Sequence, residues 1–143
     1  MKINSKIRYG LRTMIEIAST SDVNGILQKD IAKNQSISLK YLDSIILSLK
    51  LKGLITNSKG KGSGYKLSRA AEEITILDIY TAFEQITFVD CICNKKFCDR
   101  SEDCPGRDYW IEMKKGFENM LLKKTLAQII DKKSIIAKNH INK

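Results

Sequence analysis

Residues 38–68 read S-L-K-Y-L-D-S-I-I-L-S-L-K-L-K-G-L-I-T-N-S-K-G-K-G-S-G-Y-K-L-S, and this stretch decides the fold. Leu39, Leu42, Ile45, Ile46 and Leu49 recur at intervals of one, three and four residues, which predicts a helix from Leu39 to Lys52 that buries those five side chains. Gly53 stands where helices commonly end on a left-handed residue. Leu54 to Ser58 and Tyr65 to Ser68 then predict two short strands around Lys59-Gly60-Lys61-Gly62-Ser63-Gly64, where glycine permits a tight tip and Lys59 and Lys61 make it basic. The G-K-G-S-G run resembles a phosphate-cradling loop, but it lacks the Gly-Lys-Ser/Thr ending and opens no helix, so nucleotide binding is not expected. A helix followed by a basic hairpin predicts a recognition helix beside a wing. The outward Lys40, Tyr41, Asp43 and Ser44 near the helix start have the polarity and length to reach base edges in a major groove.

The flanking segments agree with this centre. Upstream, Gln28 to Asn34 predicts a short helix with Ile31 and Ala32 inward, followed by a turn at Gln35-Ser36-Ile37, which completes a helix-turn-helix outline. Ile3, Ile7, Leu11, Met14, Ile15 and Ala18 predict an amphipathic helix over 5–20, capped by Asn4 or Ser5, with Lys6, Arg8 and Arg12 on its other face. The turn cluster Ser21-Asp22-Val23-Asn24-Gly25 ends it. Downstream, Thr75-Ile76-Leu77-Asp78 reads as a capping box with Asp in place of Glu. It opens a helix through about Gln85 that packs Ile76, Ile79, Tyr80 and Phe83 under the winged domain.

All four cysteines fall in the next stretch, Cys91 to Cys104, C-I-C-N-K-K-F-C-D-R-S-E-D-C. It is polar and aperiodic, so a loop is expected, closed by Pro105-Gly106. From Arg107 to about Asp131, Trp110, Met113, Phe117, Met120, Leu121, Leu126, Ile129 and Ile130 predict one long helix with an apolar stripe. A second copy of the chain is the economical cover for that stripe, and folding back onto its own domain is the alternative. The expected organisation is a winged helix-turn-helix domain with its supporting helix over 1–86, a cysteine-rich sensor loop over 87–106, a dimerisation helix over 107–131 and a tail over 132–143 that carries the single histidine, His140. The fold class is mainly α with a small β-hairpin wing.

Charge sharpens the reading. Residues 1–70 hold 13 Lys and Arg against 4 Asp and Glu, whereas residues 71–143 hold 12 of each, so the whole net charge of +9 sits in the first half. Concentrated basicity is the footprint of a surface that binds a polyanion. No apolar run approaches the roughly 20 residues needed to span a bilayer. The N-terminal run is interrupted by Arg12 and Glu16 with no cleavage signal, so a cytoplasmic location is expected. Four cysteines clustered in a reducing compartment favour metal, cluster or redox chemistry over a disulfide framework. Thiol oxidoreductase catalysis is not expected, because Cys91 and Cys93 form Cys-x-Cys rather than Cys-x-x-Cys and no internal histidine stands ready as a base.

Taken in order, K-I-N-S-K-I-R-Y-G-L-R, I-S-L-K-Y-L-D, S-K-G-K-G-S-G-Y-K-L-S and E-E-I-T-I-L-D-I closely resemble the bacterial winged-helix transcriptional regulators of the IscR/NsrR/CymR family. The resemblance runs from Met1 to about Asp131. It implies a homodimer that crosses its C-terminal helices, reads a dyad-symmetric operator in double-stranded DNA and changes affinity with the state of its cysteine loop. It places Ser38, Lys40, Tyr41, Asp43 and Ser44 at the major groove, Lys6 and Arg8 at phosphates, and Lys59 with Gly60 in the minor groove, with Lys61 adding charge to the tip. Many relatives carry arginine at the position of Lys59, and lysine keeps the charge but not the planar fork.

Cluster-binding members use three cysteines of this loop. Cys98 and Cys104 have the expected five-residue gap, whereas Cys91 leaves six residues before Cys98 and Cys93 leaves four. Some members add a histidine where this chain has Arg107, or a partner carboxylate where it has Arg8, and a guanidinium offers no lone pair to a metal. The resemblance with these departures leaves Cys98 and Cys104 as ligands together with Cys91, Cys93 or both, and a four-thiolate site of Cys91, Cys93, Cys98 and Cys104 where both coordinate. Soft thiolates suit a 2Fe-2S cluster, which the family favours, a 4Fe-4S cluster or zinc. A cofactor-free regulator of cysteine or sulfur metabolism, controlled by a protein effector or by thiol oxidation, is the alternative.

Overall fold

In the computed structural model, which describes residues 2–132, the first helix, α1 (Ser5–Ser19), starts at Asn4, whose side chain accepts the Lys6 amide at 2.8 Å. Of the two caps open in the sequence, Asn4 is the one used. Its inward face buries Ile7, Gly10, Thr13, Met14 and Ile17. At Gly10 an added Cβ would lie 2.2 Å from a Phe83 ring carbon, so glycine is what lets the helix approach that aromatic so closely.

The helix-turn-helix is α2 (Gln28–Gln35) and α3 (Leu39–Leu51). Ser36 between them adopts φ 53, a left-handed cap whose N–H returns to the carbonyls at the end of α2. Ser38 then caps α3 by accepting the Tyr41 amide at 3.1 Å. After Lys52 and Gly53 the chain enters β1 (Ile55–Asn57), paired antiparallel with β2 (Tyr65–Leu67) in the register Ile55 opposite Leu67. This is the expected wing. Ile26 also pairs with Tyr65, donating to its carbonyl at 3.2 Å and accepting its amide at 2.8 Å. Any Cβ at Gly64 would fall 2.4 Å from the Ile26 backbone, so glycine is required for this tie.

The core gathers Met14, Ile17, Ile31, Leu42, Ile45, Leu49, Leu54, Ile74 and Ile79 from all these elements. Beneath it, α4 (Ile76–Thr81) carries the reciprocal capping box of Thr75 and Asp78, and Arg69 at the foot of the wing pairs with Asp78 at 3.3 Å. The helix stops short of the expected Gln85.

Three expectations are corrected. Leu39 is 53 % exposed rather than buried: as the first residue of α3 it precedes the turn at which Leu42, Ile45 and Ile46 meet the core. The cysteine stretch is not simply a loop, for it contains the short helix α5 (Asp90–Cys93) and a single 3₁₀ turn over Lys95–Phe97. The helix expected over 107–131 is two segments. The first, α6 (Pro105–Leu122), opens two residues early at Pro105, a favoured first helical position, and ends at Lys123. Thr125 then starts a second capping box, its amide donating to Gln128 Oε1 at 3.1 Å and its Oγ1 accepting the Gln128 amide at 3.3 Å. Residues 126–132 are helical again, with Leu126 wholly buried in the core and Ile130 packed against it. Thr75 and Thr125 form an antiparallel bridge, in which the Ile76 amide donates to Lys124 O and the Leu126 amide to Ile74 O, both at 2.8 Å.

None of the residues of α6 is buried, although Phe117 and Leu121 pack on the small cluster of Ile7, Tyr80 and Ile86. Among the described residues no helix is long and apolar enough to cross a membrane. All but the first residue of the tail expected over 132–143, His140 included, lies outside the described residues.

Candidate nucleic-acid interface and cysteine segment

Capping by Ser38 places the first turns of α3 at the surface, with Ser38, Lys40 and Asp43 exposed or partly so and Tyr41 and Ser44 half-buried. Several of these groups are already engaged. Tyr41 donates its hydroxyl to Ser5 Oγ at 3.2 Å and meets Tyr9 edge to face at 5.8 Å, which joins the start of α1 to α3. Ser44 Oγ donates to the Tyr41 carbonyl at 2.8 Å. Lys6 and Arg8 are exposed on the opening turn of α1, and Arg12 lies 5.3 Å from the face of Tyr9. The cations, Tyr9 and Tyr41 therefore share one corner of the molecule.

Asp43 has a partner that the sequence does not announce. Gln28, the first residue of α2, donates its side-chain amide to Asp43 Oδ1, while its Oε1 accepts the Tyr65 hydroxyl at 3.2 Å. Burial first, and then the charge of Asp43, push the Tyr65 phenol above its ordinary range, against a smaller lowering by Asn57. Because the Asp43 carboxylate only accepts, Gln28 presents its NH2 to Asp43 and its oxygen to the Tyr65 hydroxyl, and one chain of hydrogen bonds runs from β2 through α2 to α3. The only sequence signal was that Gln28 opens a short helix, which says nothing of its reach.

At the wing tip Lys59, Gly60 and Lys61 are all exposed, and Gly60 and Gly62 take φ 107 and 72, values that favour glycine. The tip is closed by the Ser58 amide donating to Gly64 O at 2.9 Å and is held to the body by the Gly64 amide donating to Asn24 O at 2.8 Å. Lys50 Nζ stands 5.0 Å over the Tyr65 ring, which adds a further cation between helix and wing.

The four cysteines are free thiols, with Cys93 exposed and Cys91, Cys98 and Cys104 half-buried. Cys91 and Cys93 sit on α5, Cys98 follows the 3₁₀ turn, and Cys104 precedes α6. The segment is held by main-chain contacts: buried Ser101 donates to Lys95 O at 2.6 Å, and Arg107 Nε donates to Cys91 O at 3.1 Å. Arg107, at the position of a ligand in some relatives, thus ties α6 to α5. Cys93 Sγ lies 3.4 Å from Thr87 Oγ1. Among the described residues no three His, Cys, Asp or Glu side chains converge as a metal site. The donor chemistry fits a thiolate-ligated cluster or zinc, and coordination would require α5 and the segment 94–104 to move their thiols together.

Comparison with known proteins bears on both regions. The model of the Rrf2 family, described as an iron-dependent transcriptional regulator, matches residues 3–132. Protein rrf2 of Nitratidesulfovibrio vulgaris is 35% identical over 143 residues, covering 99% of this chain and 95% of its own. Among solved structures, IscR of T. potens superposes with a TM-score of 0.73 at 26% identity, over 92% of this chain and 88% of that one. CymR of Staphylococcus aureus does so with a TM-score of 0.69 at 29% identity, over 89% and 96%.

Proposed function

The chain belongs to the Rrf2 family of DNA-binding transcriptional regulators, and from that premise we propose that it binds a dyad-symmetric operator as a homodimer and adjusts its affinity to the state of its cysteine segment. The observation that carries the first part is the Tyr65–Gln28–Asp43 chain, which fixes wing and recognition helix as one rigid reading surface. On that surface Lys40, Asp43, Ser44 and Ser38 address the major groove, Lys6 and Arg8 the phosphates, and Lys59, Gly60 and Lys61 the minor groove, with Tyr41 seating α3 on α1. The exposed Tyr109, Trp110, Met120 and Leu122 of α6 supply the face that a second copy covers.

In the sensing segment Cys98 and Cys104, with Cys91 and Cys93, bind a 2Fe-2S cluster. A bound cluster would supply a redox- and nitric-oxide-sensitive centre there. Arg107 holds α5 against the start of α6, so a change around the thiols reaches the helix that pairs the two subunits. Anaerobically purified protein is expected to show iron and charge-transfer bands at the blue end of the visible spectrum, both lost in Cys98→Ala. Zinc in place of iron would recast the centre as a structural or thiol-labile site.

The likeness to CymR supports a second reading, in which the same segment works without a cofactor, through thiol oxidation or a protein effector. It expects colourless, metal-free protein under the same conditions and operator affinity that is unchanged in Cys98→Ala under reducing conditions.

A further inference from the structure

On the outward side of α3, Leu39, Asp43 and Leu47 follow one another at intervals of four, a single row along the helix with one residue per turn. Leu39 is 53 % exposed and Leu47 58 %. The row borders Lys40 and Ser44 on the same face, so it is continuous with the surface assigned above to the major groove. The leucines of this row, Leu39 and Leu47 and, one turn further on, Leu51 at 81 % exposed, have no structural reason to be apolar within this chain, whose core residues on α3 are Leu42, Ile45, Ile46 and Leu49. Asp43 between the first two is fixed by Gln28 and offers acceptor oxygens only.

Within a major groove the apolar feature available to such a side chain is the C5-methyl group of thymine, and the feature available to a carboxylate is the N4 amine of cytosine. Both project from pyrimidine edges. One helical turn advances about 5.4 Å, against about 3.4 Å for one base step, so groups one turn apart fall near bases one or two steps apart. We propose that Leu39 and Leu47 read thymine 5-methyl groups on either side of the base addressed by Asp43, which makes the α3 row a reader of a pyrimidine run on one strand.

This inference rests on the major-groove placement of α3, and the test separates the two. Duplexes that bind the full-length chain are selected from a randomised pool, and each thymine is then replaced by uracil, which differs only in lacking the methyl group. Uracil at a thymine met by either leucine is expected to weaken binding about fourfold, the effect of removing one buried carbon from an apolar contact. In Leu39→Ala the penalty at one of these positions vanishes and the other persists; in Leu47→Ala the reverse holds. Circular dichroism and thermal melting of both variants should match the parent, since each leucine is exposed and alanine is a strong helix former. Uracil penalties that are absent in the parent, or unchanged in the variants, overturn the proposal while leaving DNA binding intact. So does a variant whose only change is in sedimentation mass, because the leucines would then meet a second copy. If the selection yields no bound duplex at all, the reading of α3 itself fails, and this inference with it.

Discussion

Residues 2–86 and the segment from Thr87 to Leu122 are held together in different ways. The first is tied at every joint by side chains from distant elements: Tyr41 to Ser5, Tyr65 through Gln28 to Asp43, Arg69 to Asp78, and a core of fully buried aliphatics. The second has Ser101 as its one buried residue, and its tertiary contacts are Phe88, Phe117 and Leu121 on the Ile7, Tyr80 and Ile86 cluster together with the Arg107 tie. A surface that reads DNA gains by being ordered before it binds, since ordering during binding subtracts from affinity. A segment that responds to chemistry at its thiols is drawn from the low-stability end of the molecule. On the function proposed above, the contrast is one of task as well as packing.

The sharpest way to break this contrast is at the point where the chain returns to the core. Leu126→Ala is expected to lower the unfolding free energy by about 3 kcal/mol, as for a fully buried leucine, whereas Phe97→Ala, at a residue 63 % exposed in the cysteine segment, costs less than about 1 kcal/mol in the same urea titration. Equal losses would erase the distinction. Next, amide hydrogens of residues 90–104 should exchange about a hundredfold or more faster than those of α3, measured by mass spectrometry under native conditions, because protection follows local opening. Comparable protection would show the cysteine segment to be as firmly held as the recognition helix.

Charge offers a smaller contrast. Lys59→Ala should weaken operator binding several-fold at moderate salt and reduce the slope of log affinity against log salt by about one, while Lys95→Ala leaves that slope unchanged. Smallest of all is the ion pair of Lys114 and Glu118 on α6, 3.8 Å apart and partly exposed. Lys114→Ala should alter stability by no more than about 0.5 kcal/mol in a thermal melt.

What was legible in the sequence was local. The apolar spacing of Leu42, Ile45, Ile46 and Leu49, Gly53 after α3 and the Thr75–Asp78 box each act over four residues or fewer, and each stands where it was expected. The wing was legible because glycine and lysine at 59–64 constrain both backbone and charge. What was not legible depended on partners far away. The exposure of Leu39 follows from which turn of α3 first meets the core, and the Gln28 clamp joins residues 15 and 37 positions apart in the chain. The break before Thr125 was the exception, since Thr125-Leu126-Ala127-Gln128 is itself a readable capping box. The continuous apolar pattern on both sides of it masked the signal.

The bridge between Thr75 and Thr125 gives α6 a fulcrum. At its far end the helix begins beside Cys104, and its 18 residues span about 27 Å at 1.5 Å per residue. With one end pinned to the strand-like crossing beneath the winged domain, a rotation of about 5° about that point displaces the cysteine end by roughly 2 Å, the length of the rod setting the gain. On the proposed sensing role, a rearrangement of the thiols by about 2 Å would correspond to a tilt of only about 5° where the helix meets the DNA-binding half.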